Sequence, residues 1–300
     1  MQQASPTIRS AVLTALLKNL VDYAGLFPPA KLPMQAAVEN YAAYSAGEFN
    51  WMLGKFIVPA ARLAEFGSAI VNLRTIEKWP LSVLLGADIA KDIEQVCEFP
   101  LRNHEVEVSS VELKTTTADD IFRTHSLIPT NLPAFFEIPL TADIQGCISA
   151  LKQCGRGAKI RTGGETPEMI PPTSSVAKFM FQCAQAKVPF KATAGLHHSV
   201  RSVHPLTYAP DSPTGTMHGF LNVFLAAALL GNSAIDIPEA TELLSETSPE
   251  ALVVNTDSIG WHDHRLTREQ IVAARKNFSP SFGSCSFTEP IEDLQSLSLL

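Results

Sequence analysis

The feature that most constrains the fold is a repeat of short apolar runs separated by stretches of helical period. Eight runs rich in Val, Ile, Leu, Phe and Ala occur between residues 21 and 256, and such runs are typical of buried strands. The predicted strands are Val21–Phe27, Lys55–Pro59, Leu81–Gly86, Ser110–Thr115, Ala134–Ile138, Ala158–Arg161, Pro189–Ala194 and Ala251–Thr256.

The predicted helices alternate with these strands, which indicates βαβ units on a parallel sheet. They are Pro33–Ala46, Ala60–Val71, Asp88–Val96, Ala118–Ser126, Thr141–Gln153, Ser174–Ala186, Thr214–Leu230 and Pro238–Glu246. Eight units predict one α/β domain over residues 1–300, a closed (β/α)8 TIM-type barrel. An N-terminal helix within residues 1–20, capped near Ser5 and Pro6, precedes the barrel, and a C-terminal extension at 277–300 follows it. The alternative is an open doubly wound sheet, but no Gly-rich phosphate turn follows the first strand.

Composition and charge exclude several classes of protein. Hydrophobic residues make up 46% of the chain, which is enough to build a core, and the net charge of -7 disfavours nucleic-acid binding. The most apolar run, Gly219–Leu230, is shorter than the roughly 18 residues of a membrane-spanning helix. Five cysteines without a C-x-x-C pair indicate a reduced, cytoplasmic protein.

Charged residues interrupt strands that should be apolar on both faces in a parallel barrel. Because the side-chain period of a strand is two, residues two apart point the same way, and we expect these pairs to face the lumen. The carboxyl ends of barrel strands carry the active sites of this architecture. A salt-bridged layer without chemistry is the structural alternative, but burying unpaired charges costs several kcal/mol each. The pairs are Glu112 with Lys114, Lys159 with Arg161, Lys191 with Thr193, and Asn255 with Asp257.

Two lysines on neighbouring strands suit imine chemistry. A lysine becomes a nucleophile when burial or a nearby cation destabilises its ammonium. Lys159 on the sixth strand and Lys191 on the seventh each disfavour the charged form of the other, and Arg161 adds to this effect. One of them is then neutral and attacks a carbonyl to form a Schiff base, while Glu137 on the fifth strand moves protons.

Two segments resemble the deoxyribose-phosphate aldolase family. Lys159-Ile160-Arg161-Thr162-Gly163 is similar to its K-x-x-T-G segment, and Phe190–Gly195 is similar to the F-K-x-x-G segment of its next strand. The resemblance implies a class I aldolase-like barrel in which Lys159 forms the imine and Lys191 makes its amine easier to deprotonate. The chain departs from that family at His197-His198 and at Asn255–Ser258, so a phosphate-binding site is not implied.

The whole chain also resembles a bacterial (β/α)8-barrel family that brings no established activity. The segments that carry this resemblance are Asp22–Lys31, Ala194–His198, Met217–Asn222 and Phe282–Phe287. The loop residues Asp22 and Lys31 either reach the pocket or form an ion pair on its rim. We interpret Cys285 as a packed thiol, because no G-x-S-x-G nucleophile elbow follows a strand.

The competing predictions are a metal-dependent barrel hydrolase and a non-catalytic barrel that binds a small molecule. The residues expected to ligate a divalent metal in the first case are Glu137, His197, His198, His218 and Asp257. Imidazoles and carboxylates suit zinc, manganese or iron, but adjacent histidines in an extended chain cannot easily face one ion, and the nearby cations would repel it.

We therefore expect a cytoplasmic enzyme with aldolase-like lyase or isomerase chemistry on a small carbonyl or carboxylate substrate, without a cofactor unless the metal alternative holds. Its partner is a small molecule, not a nucleic acid or a membrane, and a homo-oligomer is left open. The catalytic residues are Lys159, Lys191 and Glu137. The substrate-binding residues are Arg161, Thr162, Gly163, Thr193, Gly195, His197, His198, His218, Asn255 and Asp257.

Overall fold

A computed structural model describes residues 10–71, 73 and 78–300 and contains a closed barrel of eight parallel strands. In chain order the strands are β1 Val21–Tyr23, β2 Leu53–Pro59, β3 Trp79–Leu84, β4 Val106–Lys114, β5 Ala134–Glu137, β6 Gly157–Arg161, β7 Phe190–Thr193, β8 Ser202–Pro205, β9 Thr214–Met217, β10 Leu252–Val254, β11 Ser258–Trp261, β12 His264–Thr267 and β13 Phe282–Ser284. The barrel follows the order β1-β13-β7-β6-β5-β4-β3-β2, so the predicted TIM-type fold is confirmed.

Helices follow the barrel strands and cover them from outside. They are α1 Ala11–Leu17, α2 Met34–Ala46, α3 Leu63–Ile70, α4 Ile89–Arg102, α5 Ala118–His125, α6 Ile144–Cys154, α7 Thr173–Ala186, α8 Phe220–Gly231, α9 Ile237–Ser245, α10 Arg268–Asn277 and α11 Thr288–Ser296. None of the helices in the described ranges is long and apolar enough to cross a membrane.

The eighth barrel strand differs from the prediction. Ala251–Thr256 contains β10, which pairs antiparallel with β11 in a three-stranded sheet outside the barrel. The strand that closes the barrel is β13, within the stretch expected to be an extension. Its Phe-Gly-Ser sequence carries no β-branched residue, so local propensity gives little signal. Pairing with β1 and β7, together with burial of Phe282 against the ring of Phe220, fixes it in place.

The helix predicted at Thr214–Leu230 is correct only in its second part. Its first residues form β9, which pairs antiparallel with β8 in a hairpin. Gly219 is extended, with φ -83 and ψ 139, and caps α8, which therefore begins at Phe220.

The N-terminal helix is α1, which lies within the predicted 1–20 region. Ser10 caps it by accepting a hydrogen bond from the Leu13 amide at 3.4 Å. The predicted cap at Ser5 and Pro6 lies outside the described residues. The apolar face of α1 is buried, and the helix packs against α10.

The buried guanidinium of Arg275 on α10 binds the two segments that lead into β1 and β13, the first and last strands of the barrel. The Arg275 side chain, in a residue only 8% exposed, donates to the carbonyls of Leu16 and Pro280 and, at 2.8 Å, to that of Ser279. These carbonyls lie just before β1 and β13. Arg275 therefore satisfies backbone groups where the first and last barrel strands enter the sheet.

We expect Arg275→Leu to lower the free energy of unfolding by at least about 3 kcal/mol, because several buried carbonyls lose their donor. Urea denaturation followed by circular dichroism measures this change. The matched control is Arg268→Leu, an exposed position on the same helix, for which a change within about 0.5 kcal/mol is expected. Equal stability of the two variants would contradict the assignment.

Candidate active site

Strand register brings the three predicted catalytic residues side by side. Glu137 on β5 pairs with Lys159 on β6, and Lys159 pairs with Lys191 on β7. Residues in register on neighbouring parallel strands point to the same face of the sheet, here the inside of the barrel. The structure therefore places the two lysines as neighbours, as the sequence predicts.

Glu112 on β4 is shared by the two lysines. Its Oε2 lies 2.8 Å from the Nζ of Lys159 and its Oε1 lies 2.5 Å from the Nζ of Lys191. The hydroxyl of Ser82 donates to Oε1 at 2.7 Å. Burial alone would raise the pKa of Glu112, but the two ammonium groups outweigh it and hold the pKa well below the usual range. The carboxylate thus stays ionised in the barrel interior.

Lys191 binds a second carboxylate, that of Asp22 on β1, at 2.6 Å. Asp22 also accepts hydrogen bonds from the Ser281 hydroxyl and the Lys55 amide, both at 2.7 Å. Burial by itself would lower the pKa of Lys191, but the charges of Asp22 and Glu112 raise it above its ordinary value. Of the two lysines, one of which was expected to be neutral, Lys191 is therefore the one that keeps its charge.

Lys159 also has a second carboxylate, since the Oε2 of Glu137 lies 2.9 Å from its Nζ. Arg161 binds the other oxygen of Glu137 at 3.2 Å, and Lys55 lies 4.0 Å from Asp22. The contacts form one chain of alternating charge through the lumen, with four cations and three carboxylates. Its members in order are Lys55, Asp22, Lys191, Glu112, Lys159, Glu137 and Arg161.

A cavity of about 280 Å³ opens at the carboxyl ends of the barrel strands. Of the two lumen lysines, both in the described part of the chain, only Lys159 lines it, and Lys191 is 1% exposed. Of these two, Lys159 is therefore the one that a ligand can reach. The other polar side chains on the cavity wall are those of Glu112, Lys114, Glu137, Arg161, Glu165, Thr193, His197 and Cys285.

Thr162 and Gly163 do not line this cavity. Both contact the backbone just after β7. The Thr162 hydroxyl donates to the carbonyl of Ala194 at 2.6 Å. A Cβ at Gly163 would lie 2.8 Å from the Cα of Gly195, which itself has φ +74, so glycine is required at this approach. Gly195 and Thr193 do line the cavity, as predicted.

Two of the predicted histidines lie away from the cavity. His198 stacks on His204 with ring centroids 3.3 Å apart. His218 is buried and bonds the Pro171 carbonyl at 2.9 Å, and burial lowers its pKa to about 4, so the ring is neutral. Neither lines the 280 Å³ cavity, although His198 lines an adjoining pocket and its Nδ1 lies 3.4 Å from Asp293.

Asn255 and Asp257 lie in the exposed turn between β10 and β11, outside the barrel. The side-chain amide of Asn255 donates to the hydroxyl of Ser258 at 3.1 Å. Their expected position at the cavity depended on an eighth barrel strand at Ala251–Thr256, and that assignment is wrong.

The residues expected to hold a metal are not brought together. Within residues 10–71, 73 and 78–300, no group of three His, Cys, Asp or Glu side chains has the geometry to hold a metal ion. Glu137 is engaged by Lys159 and Arg161, and the Nδ1 of His197 contacts Glu289 at 2.6 Å. The geometry thus does not favour the hydrolase alternative.

Sequence reasoning named Asp22 only as a residue that reaches the pocket or forms an ion pair on its rim, and it did not identify Lys55 or the contact of Asp22 with Lys191. Each is a charged residue beside apolar strand residues, which is the same signal that identified Glu112. The predicted first strand, Val21–Phe27, is longer than β1, which ends at Tyr23.

Comparison of the chain with protein-family models, with curated proteins and with solved structures finds no match. The resemblances to the aldolase family and to the bacterial barrel family therefore stay predictions, and the fold rests on the strand topology alone.

We expect Lys191→Met to cost about 3–5 kcal/mol of unfolding free energy near pH 7, because Asp22 loses its ammonium partner. The pKa values of Asp22 and Glu112 are depressed in the folded protein, so the stability that these groups add is present above about pH 4 and is lost as the pH falls further. In the variant, an uncompensated Asp22 takes up a proton more readily. The deficit relative to wild type therefore shrinks towards about pH 4.

Urea denaturation at pH 7 and at about pH 4 measures the difference in unfolding free energy between Lys191→Met and wild type. The matched control is Arg102→Met, which removes a surface pair with Glu98 and should cost less than about 1 kcal/mol at either pH. A Lys191→Met deficit that is the same at both pH values would contradict the network.

Proposed function

We propose that the protein is a lyase of the class I aldolase type, in which Lys159 forms an imine with a small carbonyl substrate that carries a carboxylate. One observation supports this most directly. Lys159 lines the cavity at the strand ends, flanked by Glu112 and Glu137, while Lys191 binds the far oxygen of the same Glu112.

Lys191 acts on Lys159 through its charge. Asp22 and Glu112 raise the pKa of Lys191, so it stays an ammonium at neutral pH. It also binds the Glu112 oxygen that Lys159 does not contact, and so holds the carboxylate against which the Lys159 amine is oriented. Lys191 is in this account a positioning residue that does not touch substrate.

Glu137 is the group that moves protons at the cavity. Its side chain is 12% exposed and contacts the Nζ of Lys159 at 2.9 Å. Burial would raise the pKa of Glu137, but Lys159 and Arg161 lower it, so Glu137 is a carboxylate able to accept a proton. Arg161 binds Glu137 through its Nε, and its side chain is 42% exposed, so its other donors can bind a substrate carboxylate.

The chemistry follows from these positions. The Lys159 amine attacks the carbonyl carbon, and the carbonyl oxygen leaves as water to give an iminium ion. Glu137 then removes the proton from a β-hydroxyl of the substrate. The adjacent carbon–carbon bond breaks, its electron pair passes to the iminium nitrogen, and an aldehyde leaves. Protonation and hydrolysis release the second product and restore the amine.

The cavity favours a small anionic substrate. Its volume of about 280 Å³ is at the low end of ligand pockets. Arg161 and Lys114 both line it and supply donors suited to a carboxylate. A short oxo acid that carries a β-hydroxyl meets these requirements.

Borohydride trapping with a panel of small aldehydes and 2-oxo acids tests the proposal. Intact mass spectrometry should show one reduced adduct on wild-type protein, and peptide mapping should place it on Lys159. Lys159→Met should abolish the adduct. Lys191→Met should slow formation of the adduct, which should still be found on Lys159.

The matched control is Lys152→Met, an exposed lysine on α6 that should leave the adduct unchanged. No adduct with any compound of the panel, or an adduct that persists in Lys159→Met, would rule out the imine mechanism.

A further inference from the structure

A second cluster of reactive side chains lies on the wall of the same cavity. Cys285 directly follows β13, is 6% exposed and lines the cavity. The His197 ring lines the same cavity and interacts electrostatically with this thiol, and the Tyr208 hydroxyl lies 3.7 Å from its Sγ. This thiol is therefore not the isolated packed group that the sequence suggested.

His197 is held between Cys285 and a carboxylate. The Nδ1 of the ring contacts the Oε2 of Glu289 at 2.6 Å, which leaves the other ring nitrogen for the thiol. Burial alone would lower the pKa of His197, but Cys285 and Glu289 raise it to about 9. The ring is then an imidazolium at neutral pH, on the same cavity wall as the sulfur.

The turn after β13 fixes the relative positions of the thiol and the carboxylate. The Ser286 amide donates to the Ser284 hydroxyl at 3.3 Å, and the Glu289 amide donates to the Ser286 hydroxyl at 3.2 Å. Cys285 and Glu289 thus come from one short segment, whereas His197 comes from the loop after β7. Closure of the barrel by β13 brings the two segments together.

We propose that Cys285, His197 and Glu289 form a second nucleophilic centre, which adds reversibly to the carbonyl carbon of a small aldehyde in this cavity. Glu289 orients the imidazole, His197 takes and returns the thiol proton, and Cys285 is the nucleophile. The sulfur–carbon bond forms as the π bond of the carbonyl breaks, and the proton on His197 passes to the carbonyl oxygen. Reversal of these steps releases the aldehyde, so no oxidant or leaving group is needed.

The surroundings of the sulfur suit this addition. Tyr208 places a hydroxyl next to the sulfur, where it can donate to the oxygen of the adduct. The titratable groups that face the centre include Tyr208 from the β8–β9 hairpin and Tyr23 from β1, with the stacked His198 and His204 and the α11 residue Asp293 beyond them. The centre uses none of the lumen lysines, so it does not depend on the imine proposal.

Alkylation of the folded protein by limiting iodoacetamide tests the centre, with site-resolved rates from peptide mass spectrometry. Near pH 6, Cys285 should react at least about tenfold faster than Cys97, an exposed thiol on α4 that serves as the internal reference. His197→Gln should slow Cys285 by about tenfold or more and leave Cys97 unchanged.

Glu289→Gln, at a partly exposed carboxylate, should slow the alkylation of Cys285 by a smaller factor than His197→Gln does. This variant tests the centre if His197→Gln does not fold. His104→Gln, at an exposed histidine, is the matched control and should change neither rate. Cys285 reacting no faster than Cys97, or unaffected by both variants, would overturn the proposal.

Protection by propanal tests the assigned ligand class. Propanal should slow the alkylation of Cys285 in wild type and equally in Lys159→Met. No protection in either protein would overturn the aldehyde assignment. Protection that disappears in Lys159→Met would show that propanal binds at the lysine, which contradicts this inference while supporting the imine proposal.

Discussion

The arrangement of the lumen depends on one carboxylate, Glu112, whose two oxygens bind two different lysines. Without it, Lys159 and Lys191 would be like charges on neighbouring strands with nothing between them. Buried ion pairs seldom add net stability compared with apolar packing, because desolvation offsets the attraction. A chain of seven charged groups in a barrel interior is therefore consistent with the proposed chemistry at its open end, since it is not needed for folding.

Glu112 also makes the two lysines unequal. Lys191 has a second carboxylate in Asp22, is fully enclosed and keeps its proton. Lys159 has its second carboxylate in Glu137, at the cavity, where a substrate can replace that contact. The same ion network thus places a fixed charge in the interior and, at the cavity, the amine that we propose as the nucleophile.

Much of the site follows from strand periodicity, and the rest depends on how the barrel closes. Seven strands are visible in the sequence because they are apolar, and the charges at 112, 137, 159 and 191 stand out against them. The eighth strand has no such signal, since pairing with β1 and β7 creates it. For this reason Asn255 and Asp257 were assigned to the cavity, while Cys285 was not. Contacts such as His197 with Glu289, which are 92 positions apart, exist only in the closed barrel.

The central claim is that Lys191 is a permanent positive charge behind a reactive Lys159. Nitrogen-15 NMR of the lysine side chains through alkaline pH tests it, with the Lys191 signal assigned by its loss in Lys191→Arg. The Lys191 ammonium should persist after exposed lysines have lost their protons near about pH 10.4. Loss of the Lys191 proton together with, or before, those of the exposed lysines would contradict the account.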